Sequence, residues 1–320
     1  GTFTEIPVRF EEGAFPEHFN DFLFDILPRD DVSVMWELIG YCLFRGYPYQ
    51  KAFMFIGEGA NGKSTLLAAL RDFLGRDNIA AAELRELAEN RFAKAELDGK
   101  LANLAPDISS EALEQTGTFK ALTGGDRIKA ERKHQDPFHF ENHAKLIFSA
   151  NTVPQADDET YAYKRRWQYF NFPNTFSGDD AVPQQELLES FRQEHAGILN
   201  QAIEAFQDLH ERGGFEKTSF MQQHDDAHEH ATNPARQFAT EQLVENPDTF
   251  VNQKAVKEAF ASWCDRNDKT VQGEQLLKRT IRDEYNAETG KNPNDGRYKT
   301  WLGIRLKDDG NNGENRQREL

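Results

Sequence analysis

Apolar residues follow two rhythms along this chain. Before residue 50 they recur at helical spacing over Phe15–Leu27 and Val32–Gly46, and Pro28–Asp31 breaks the pattern. From Ala52 onward short apolar runs take over: Ala52–Ile56, Lys100–Ala105 and Lys145–Ala150 predict strands, with Gln168–Phe172 as another. Helical spacing returns between and after them. It runs through Ser64–Leu74 (Leu66, Leu67, Leu70, Leu74), two short patterns within Ile79–Leu97, a helix closed by Gly117–Gly125, and Glu186–His210. Residues 127–140 read as two short strands around a polar tip, a β-hairpin. Farther on, Phe238–Glu245, Asn252–Asn267 and Gly273–Ala287 read as helices, Gly290–Asp295 as a loop, and Arg297–Leu302 and Gly303–Lys307 as short strands. Helix, helix, helix, hairpin is a winged-helix order. The expected organisation is therefore α/β: a helical region at 1–50, a core at 51–210, a polar linker at 211–234, a winged-helix-like domain at 235–310 and a disordered tail at 311–320.

The stretch Phe53–Thr65 carries the chemistry. Gly57 to Ser64 fits G-x-x-x-x-G-K-[ST] at every fixed position, between a strand pattern and a helix pattern. That is the context of a phosphate-binding loop. Gly57, Gly59 and Gly62 can take positive φ, so N–H groups can turn inward around an anion. The helix beginning near Lys63 aims its positive end at the same place. Gly57, Glu58, Gly59, Ala60, Asn61, Gly62, Lys63, Ser64 and Thr65 are the expected ATP contacts, with Lys63 on the β- and γ-phosphates and Ser64 on Mg²⁺. Asp107 follows the strand Lys100–Ala105 and is the candidate second Mg²⁺ ligand, with Glu111 the nearest further carboxylate. Taken alone, Asp107 reads as a turn residue; the upstream loop favours the metal role. Asn151 ends the strand Lys145–Ala150 and can orient the attacking water, or be an ordinary turn residue. Arg165 and Arg166 precede the strand Gln168–Phe172, either as surface cations or as an arginine finger reaching a neighbouring subunit. Arg127, Lys129, Arg132, Lys133 and His134 make the hairpin locally basic and suited to DNA phosphates.

Composition changes the picture in one respect. The formal charge is −16, from 54 acidic and 38 basic residues, which by itself argues against nucleic acid. Adaptation to a high-salt cytoplasm reconciles the two, because at molar salt the Debye length is only about 3 Å and local basic clusters outweigh net charge. No apolar run is long enough to span a membrane, and no signal peptide opens the chain. Gly1–Thr4 has no initiator Met and reads as a cut into a longer protein, with a cytoplasmic location expected. Cys42 and Cys264 lie far apart beside apolar neighbours and read as buried thiols. His224 and His228 have metal-ligand spacing near His230, but they lie in a polar stretch that reads as solvated. Lys278, Arg279 and Arg282 can face a groove from the third helix of the last unit, with Arg297 and Lys299 on a wing; a protein-binding winged helix fits nearly as well.

Five segments in order, GEGANGKST, LDGKLANLAPDIS, FKALTGGDRIKAERKH, KLIFSANTVP and YKRRWQYFNFPNTF, resemble the superfamily 3 helicases, within them the phage-, plasmid- and poxvirus-type primase-helicases. The resemblance covers residues 20–210 closely and the C-terminal region loosely. It implies an AAA+ fold, Walker A at Gly57–Thr65, Walker B at Asp107, a sensor at Asn151, a finger at Arg165 or Arg166, and a DNA-tracking hairpin over Arg127–Phe140. It further implies hexameric rings moving 3′ to 5′ on single-stranded DNA. The chain departs from the pattern at Asp107, which has no adjacent second acid. The expected function is an ATP-dependent replicative helicase module of a virus, plasmid or integrated element, acting on single-stranded and fork DNA with an upstream primase domain or other replication proteins as partners. The alternatives are an AAA+ ATPase that remodels or loads replication proteins, and an origin-binding scaffold with a degenerate site.

Overall fold

The computed structural model describes residues 5–106, 116–153, 160–178, 181–223, 225, 233–271, 273–285, 287–291, 296 and 299–307. The chain divides into two compact units, Gly1–Gln222 and Gln223–Leu320.

A five-stranded parallel sheet organises the first unit. Its strands are β1 (Ala52–Ile56), β2 (Ile79–Ala80), β3 (Ala102–Ala105), β6 (Lys145–Ala150) and β7 (Trp167–Asn171), in the order β2-β3-β6-β1-β7. Every residue of β1, β3 and β6 is buried, which is why they read as unbroken apolar runs rather than alternations. Successive side chains leave opposite faces. Phe53 and Phe55 enter one core, with α1 (Glu17–Ile26), α2 (Asp31–Leu43), α3 (Lys63–Leu74), α8 (Gln184–Gln193) and α9 (His195–Arg212). Ala52, Met54 and Ile56 enter the other, with α4 (Leu84–Glu89), α5 (Arg91–Ala95), α6 (Thr116–Gly124), α7 (Tyr161–Lys164) and the hairpin β4 (Arg127–Ala130)–β5 (Phe138–Glu141). The result is a three-layer α/β/α unit with a parallel central sheet. The helices before residue 50 share one core with the sheet. Helix α2 crosses α9 so closely that a Cβ on Gly40 would sit 2.1 Å from the Ala202 carbonyl oxygen.

The long helical pattern Glu186–His210 is two helices that meet at Glu194. The Glu194 carboxylate accepts hydrogen bonds from the His18 and Phe19 backbone N–H groups at 3.0 and 2.9 Å, so it caps α1. Its contact with His18 Nδ1 is 2.6 Å and raises the His18 pKa.

The stretch after Arg212, expected as a solvated linker, instead packs along the outer edge of β7. Gln168 Nε2 donates to the Glu216 carbonyl at 2.6 Å, and the Thr218 hydroxyl donates to the Tyr169 carbonyl. Ser219 donates to Asp31 Oδ1 through both N–H and hydroxyl, at 2.7 and 2.8 Å. Phe215 stacks into the first core against Tyr41 and Phe53, while Phe220 meets Tyr169 in the second. His224, His228 and His230 all lie outside the described residues.

Lys145 opens a strand expected to be simply apolar, yet it is fully buried. Its ammonium donates to the carbonyls of Phe44, which ends α2, and His143, at 2.7 and 2.8 Å. It also lies 4.4 Å from the Tyr41 ring centroid. Burial pushes its pKa down to about 7. A lysine depressed in this way is charged at a cost in the folded chain below that value, and the cost fades as pH rises toward the ordinary lysine range. Stability should therefore climb from about pH 7 to pH 9.5, by at most about 1.4 kcal/mol per pH unit for this one group. Lys145→Met should flatten that part of a chemical-denaturation pH series; an unchanged slope would refute the assignment.

The second unit packs α10 (Pro234–Gln242), α11 (Gln253–Arg266) and α12 (Glu274–Tyr285) around Phe238, Phe260, Trp263, Ile281 and Trp301. Its antiparallel sheet has the order β8-β10-β9, from β8 (Leu243–Asn252), β9 (Glu288–Lys291) and β10 (Lys299–Leu306). Three expectations change here. The first helix stops at Gln242 and a strand follows, β9 lies where a loop was expected, and the two predicted strands at the end are one, interrupted by a register shift between Leu302 and Ile304. Gly303 sits at that shift with φ +85°, a conformation that favours glycine. Both cysteines are buried free thiols. Among the described residues no helix is long and apolar enough to cross a membrane. The tail at 308–320 lies outside the described residues.

Candidate functional site

The loop 57–62 joins the C-terminal end of inner strand β1 to the N-terminus of α3. Lys63 fills it from within. Its ammonium donates to the carbonyls of Gly57 and Glu58 at 2.5 and 3.1 Å and to Asn61 Oδ1 at 3.0 Å, and the residue is 5% exposed. Asn61 is itself buried, and its Nδ2 lies 3.5 Å from the Phe172 carbonyl. It braces the loop from inside. The Ala60 carbonyl accepts from Phe176 N at 2.8 Å. Ser64 is exposed on the first turn of α3, while the Thr65 hydroxyl accepts from Gln184 at 3.4 Å.

Positive φ falls on Gly57 (152°), Ala60 (58°) and Gly62 (88°); Gly59, which could take it, does not. A Cβ on Gly62 would lie 2.5 Å from Ile26 Cγ2, whereas one on Gly59 would meet nothing within 4 Å. The two glycines should therefore separate. Gly62→Ala is expected to destabilise the chain by about 1–3 kcal/mol through strain and overpacking. Gly59→Ala should leave the melting temperature unchanged, so any loss of nucleotide affinity would report a ligand close to that backbone. A Gly62→Ala protein as stable as the parent would contradict this geometry.

Asn151 is brought to the loop. Strand β6 pairs with β1 through Ile56 and Ala150, and Gly57 N donates to the Ala150 carbonyl at 3.3 Å. Asn151, the next residue, is exposed beside the loop. Strand β3 runs parallel on the far side of β6. Asp107 and Glu111 lie just beyond it, outside the described residues. An exposed serine hydroxyl at the start of α3 is an oxygen donor that suits Mg²⁺, which takes few protein ligands and keeps several waters. Among the described residues no cluster of three His, Cys, Asp or Glu side chains could hold a metal.

The two arginines part company. Both precede β7, whose first residue pairs with Ala52 at the start of β1. They therefore sit at the opposite end of the sheet from the loop, roughly 15 Å away at strand rise. Arg166 is buried, with Nε donating to the Thr123 hydroxyl at 3.1 Å and another nitrogen to the Ala162 carbonyl. Burial lowers its pKa. Arg165 is exposed and touches Gln50 Oε1 at 2.5 Å, and its carbonyl accepts from Lys51 Nζ at 2.8 Å. Burial, then Arg165 and Lys217, push the Lys51 pKa down to about 8.

The hairpin is present, with Lys129 opposite His139 and Arg127 opposite Glu141. Arg127, Lys129, Lys133 and His134 are exposed, and His134 turns the tip at φ 65°. Arg132 is also exposed but is paired: it reaches Asp98 at 2.7 Å and lies 4.5 Å from the Phe138 ring centroid. Sequence reasoning missed Phe92, 40% exposed on α5, which shares a surface cavity with Arg132 and Lys133. An exposed aromatic next to basic side chains was the available signal. In the second unit the expected basic groove is largely neutralised. Lys278 pairs with Glu274 at 2.6 Å, Arg279 meets Asp283 at 3.4 Å, and Arg282 lies over Trp301. Arg297 lies outside the described residues, and Lys299 is exposed.

Residues 55–166 match a family described as a family of unknown function, DUF5906. Over 168 residues the chain is 27% identical to a protein of Acanthamoeba polyphaga mimivirus named "Putative helicase L207/L206". That match covers 50% of this chain and 17% of the mimivirus protein. Two structures of the NrS-1 C-terminal region superpose with TM-scores of 0.52 and 0.50 at 13% identity, covering 93% of this chain and 78% and 77% of theirs. The sequence similarity is thus to a helicase-related protein, and the structural similarity is one of fold. Neither reaches the superfamily 3 assignment.

Proposed function

We propose that this chain is the motor part of an ATP-driven DNA helicase: a P-loop NTPase of the AAA+ class, related to superfamily 3, working as a homo-oligomeric ring on single-stranded DNA. One observation carries the reading: Lys63 lies inside a glycine loop at the end of inner strand β1, with Asn151 at the end of the neighbouring strand β6. The mimivirus relative's name supports the helicase part.

In this mechanism the loop amides and the first turn of α3 bind the ATP phosphates. Lys63 exchanges its carbonyl partners for phosphate oxygens. Ser64 and Asp107 are the proposed Mg²⁺ ligands, and the metal supplies charge neutralisation on the β- and γ-phosphates. Asn151 orients the attacking water. Arg165, too far to act on its own loop, reaches the site of the adjacent subunit, whereas Arg166 holds α6 and α7 together. Arg127, Lys129, Lys133 and His134 contact the DNA backbone, and Phe92 offers a face for a base. The second unit is read as a winged helix; the internal ion pairs of α12 favour protein contacts for it over a DNA groove.

The test is single-stranded DNA stimulation of ATP turnover. Lys129→Ala with Lys133→Ala should abolish stimulation, keep basal turnover, and reduce the salt slope of DNA binding by about 0.7 per lost contact. DNA binding that survives unchanged would move the chain to an ATPase that remodels proteins.

A further inference from the structure

Helix α1 carries His18, Asp21, Phe22 and Asp25 three or four residues apart, on one stripe. That stripe forms one wall of a cavity of about 380 Å³, within the range of small-ligand sites. The floor is Gly62 and Thr65, the start of the phosphate loop's helix. The facing wall is apolar, from Phe176, Val182 and Leu187, with Ser190 at its edge. None of these residues outside the loop belongs to the glycine motif, and they come from four separate parts of the chain.

The walls are fixed rather than incidental. Phe176 is tied to the loop through Ala60, and the Asn174 side chain donates to the Asp25 carbonyl at 2.6 Å. Glu194, at the end of α8, caps α1 and so holds the acidic stripe opposite the apolar wall. The Ser190 hydroxyl is already donating to the Leu187 carbonyl at 2.8 Å. Among the described residues no lysine or arginine lines the cavity. Its polar character along α1 comes from His18, whose Nδ1 is engaged by Glu194, and from two carboxylates, which only accept hydrogen bonds when ionised.

We propose that this cavity receives the base of the nucleotide, and that Asp21 and Asp25 select adenine by accepting a hydrogen bond from its exocyclic amino group. The inference rests on the nucleotide reading of the Gly57–Ser64 loop. A base with an oxygen in place of that amino group carries an acceptor there and a donor at N1 instead, so in the adenine pose it turns its oxygen toward the carboxylates and is repelled. The one basic side chain on the wall, His18, is already engaged by Glu194 through Nδ1. Selection thus combines one attraction with one repulsion. Phe22 from the α1 wall and Phe176 and Leu187 from the facing wall cover the ring faces.

Equilibrium competition against a fluorescent adenosine nucleotide tests this, using ATP, ITP, GTP and inorganic tripolyphosphate. ITP differs from ATP on this edge alone: an oxygen replaces the amino group and N1 carries a hydrogen. The parent chain should prefer ATP over ITP and GTP by about 10- to 100-fold. The Asp21→Asn, Asp25→Asn double variant keeps the size of both side chains but adds donors, so the ATP-to-ITP ratio should fall to within about threefold. Both residues are exposed, and an unchanged melting temperature would show that the fold is kept. Equal affinity for ATP and ITP in the parent, or a full preference retained in the double variant, would overturn the proposal. Tripolyphosphate binding as tightly as ATP, and lost in Lys63→Ala, would remove the base site while leaving the phosphate loop standing. No nucleotide or tripolyphosphate binding would remove both.

Discussion

Lys63→Ala should lower ATP turnover by at least about 10²–10³-fold, the scale for losing one preorganised charge partner of a transition state. Lys63 is buried within the loop and has three oxygen partners, so its ammonium is already held where phosphate oxygens would arrive. The same geometry sets a second expectation. Truncation leaves Asn61 Oδ1 and two carbonyls without this donor, which should cost about 1–3 kcal/mol of stability. Turnover should therefore be measured well below the variant's melting temperature and normalised to folded protein. Turnover within tenfold of the parent under those conditions would sink the phosphate-loop assignment, whatever the glycine motif suggests.

The second large effect separates two neighbours in sequence. Arg165→Ala should reduce turnover of the assembled protein by about 10³-fold with little change in melting temperature, because an exposed substitution of this kind is worth about 0.5 kcal/mol or less. Arg166→Ala should do the reverse. It strips partners from the Thr123 hydroxyl and the Ala162 carbonyl in a buried setting, so stability should fall by about 1–3 kcal/mol while folded protein still turns over. A mixture resolves whether Arg165 acts across subunits. Lys63→Ala and Arg165→Ala chains are each inactive alone, but together they form some boundaries with an intact Lys63 on one side and an intact Arg165 on the other. Mixed oligomers should regain turnover; silence in the mixture, or normal turnover of Arg165→Ala alone, would rule the role out.

Much of this architecture could be read before any coordinates, because β1, the glycine loop and α3 are contiguous and each has a local signature. The buried strands announced themselves as apolar runs for the same reason. What could not be read depended on partners distant in sequence. Lys145 looks like the polar start of a strand, and only the α2 carbonyl opposite it explains its burial. Arg165 and Arg166 are chemically identical, and only their position before β7 turns one outward and the other inward. Strand β8 was hidden by Asn246-Pro247-Asp248 in its middle, a sequence that reads as a turn. The cavity beside α1 has no linear signature, since its walls come from α1, the glycine loop, the segment after β7 and α8. Phe92 needed α5 and the hairpin to be seen as neighbours.

The segment from Phe215 to Phe220 has a consequence for edge-to-edge pairing during folding. An outermost parallel strand normally presents backbone groups that a second chain can pair with, and such edges seed aggregation. Here the returning chain lies along β7, bonded to it through Gln168 and Tyr169, and is pinned by one phenylalanine on each face of the sheet. A fragment cut at the end of α9 would keep every strand of the sheet and lose this cover. Its sticky side would be the bared outer edge of β7.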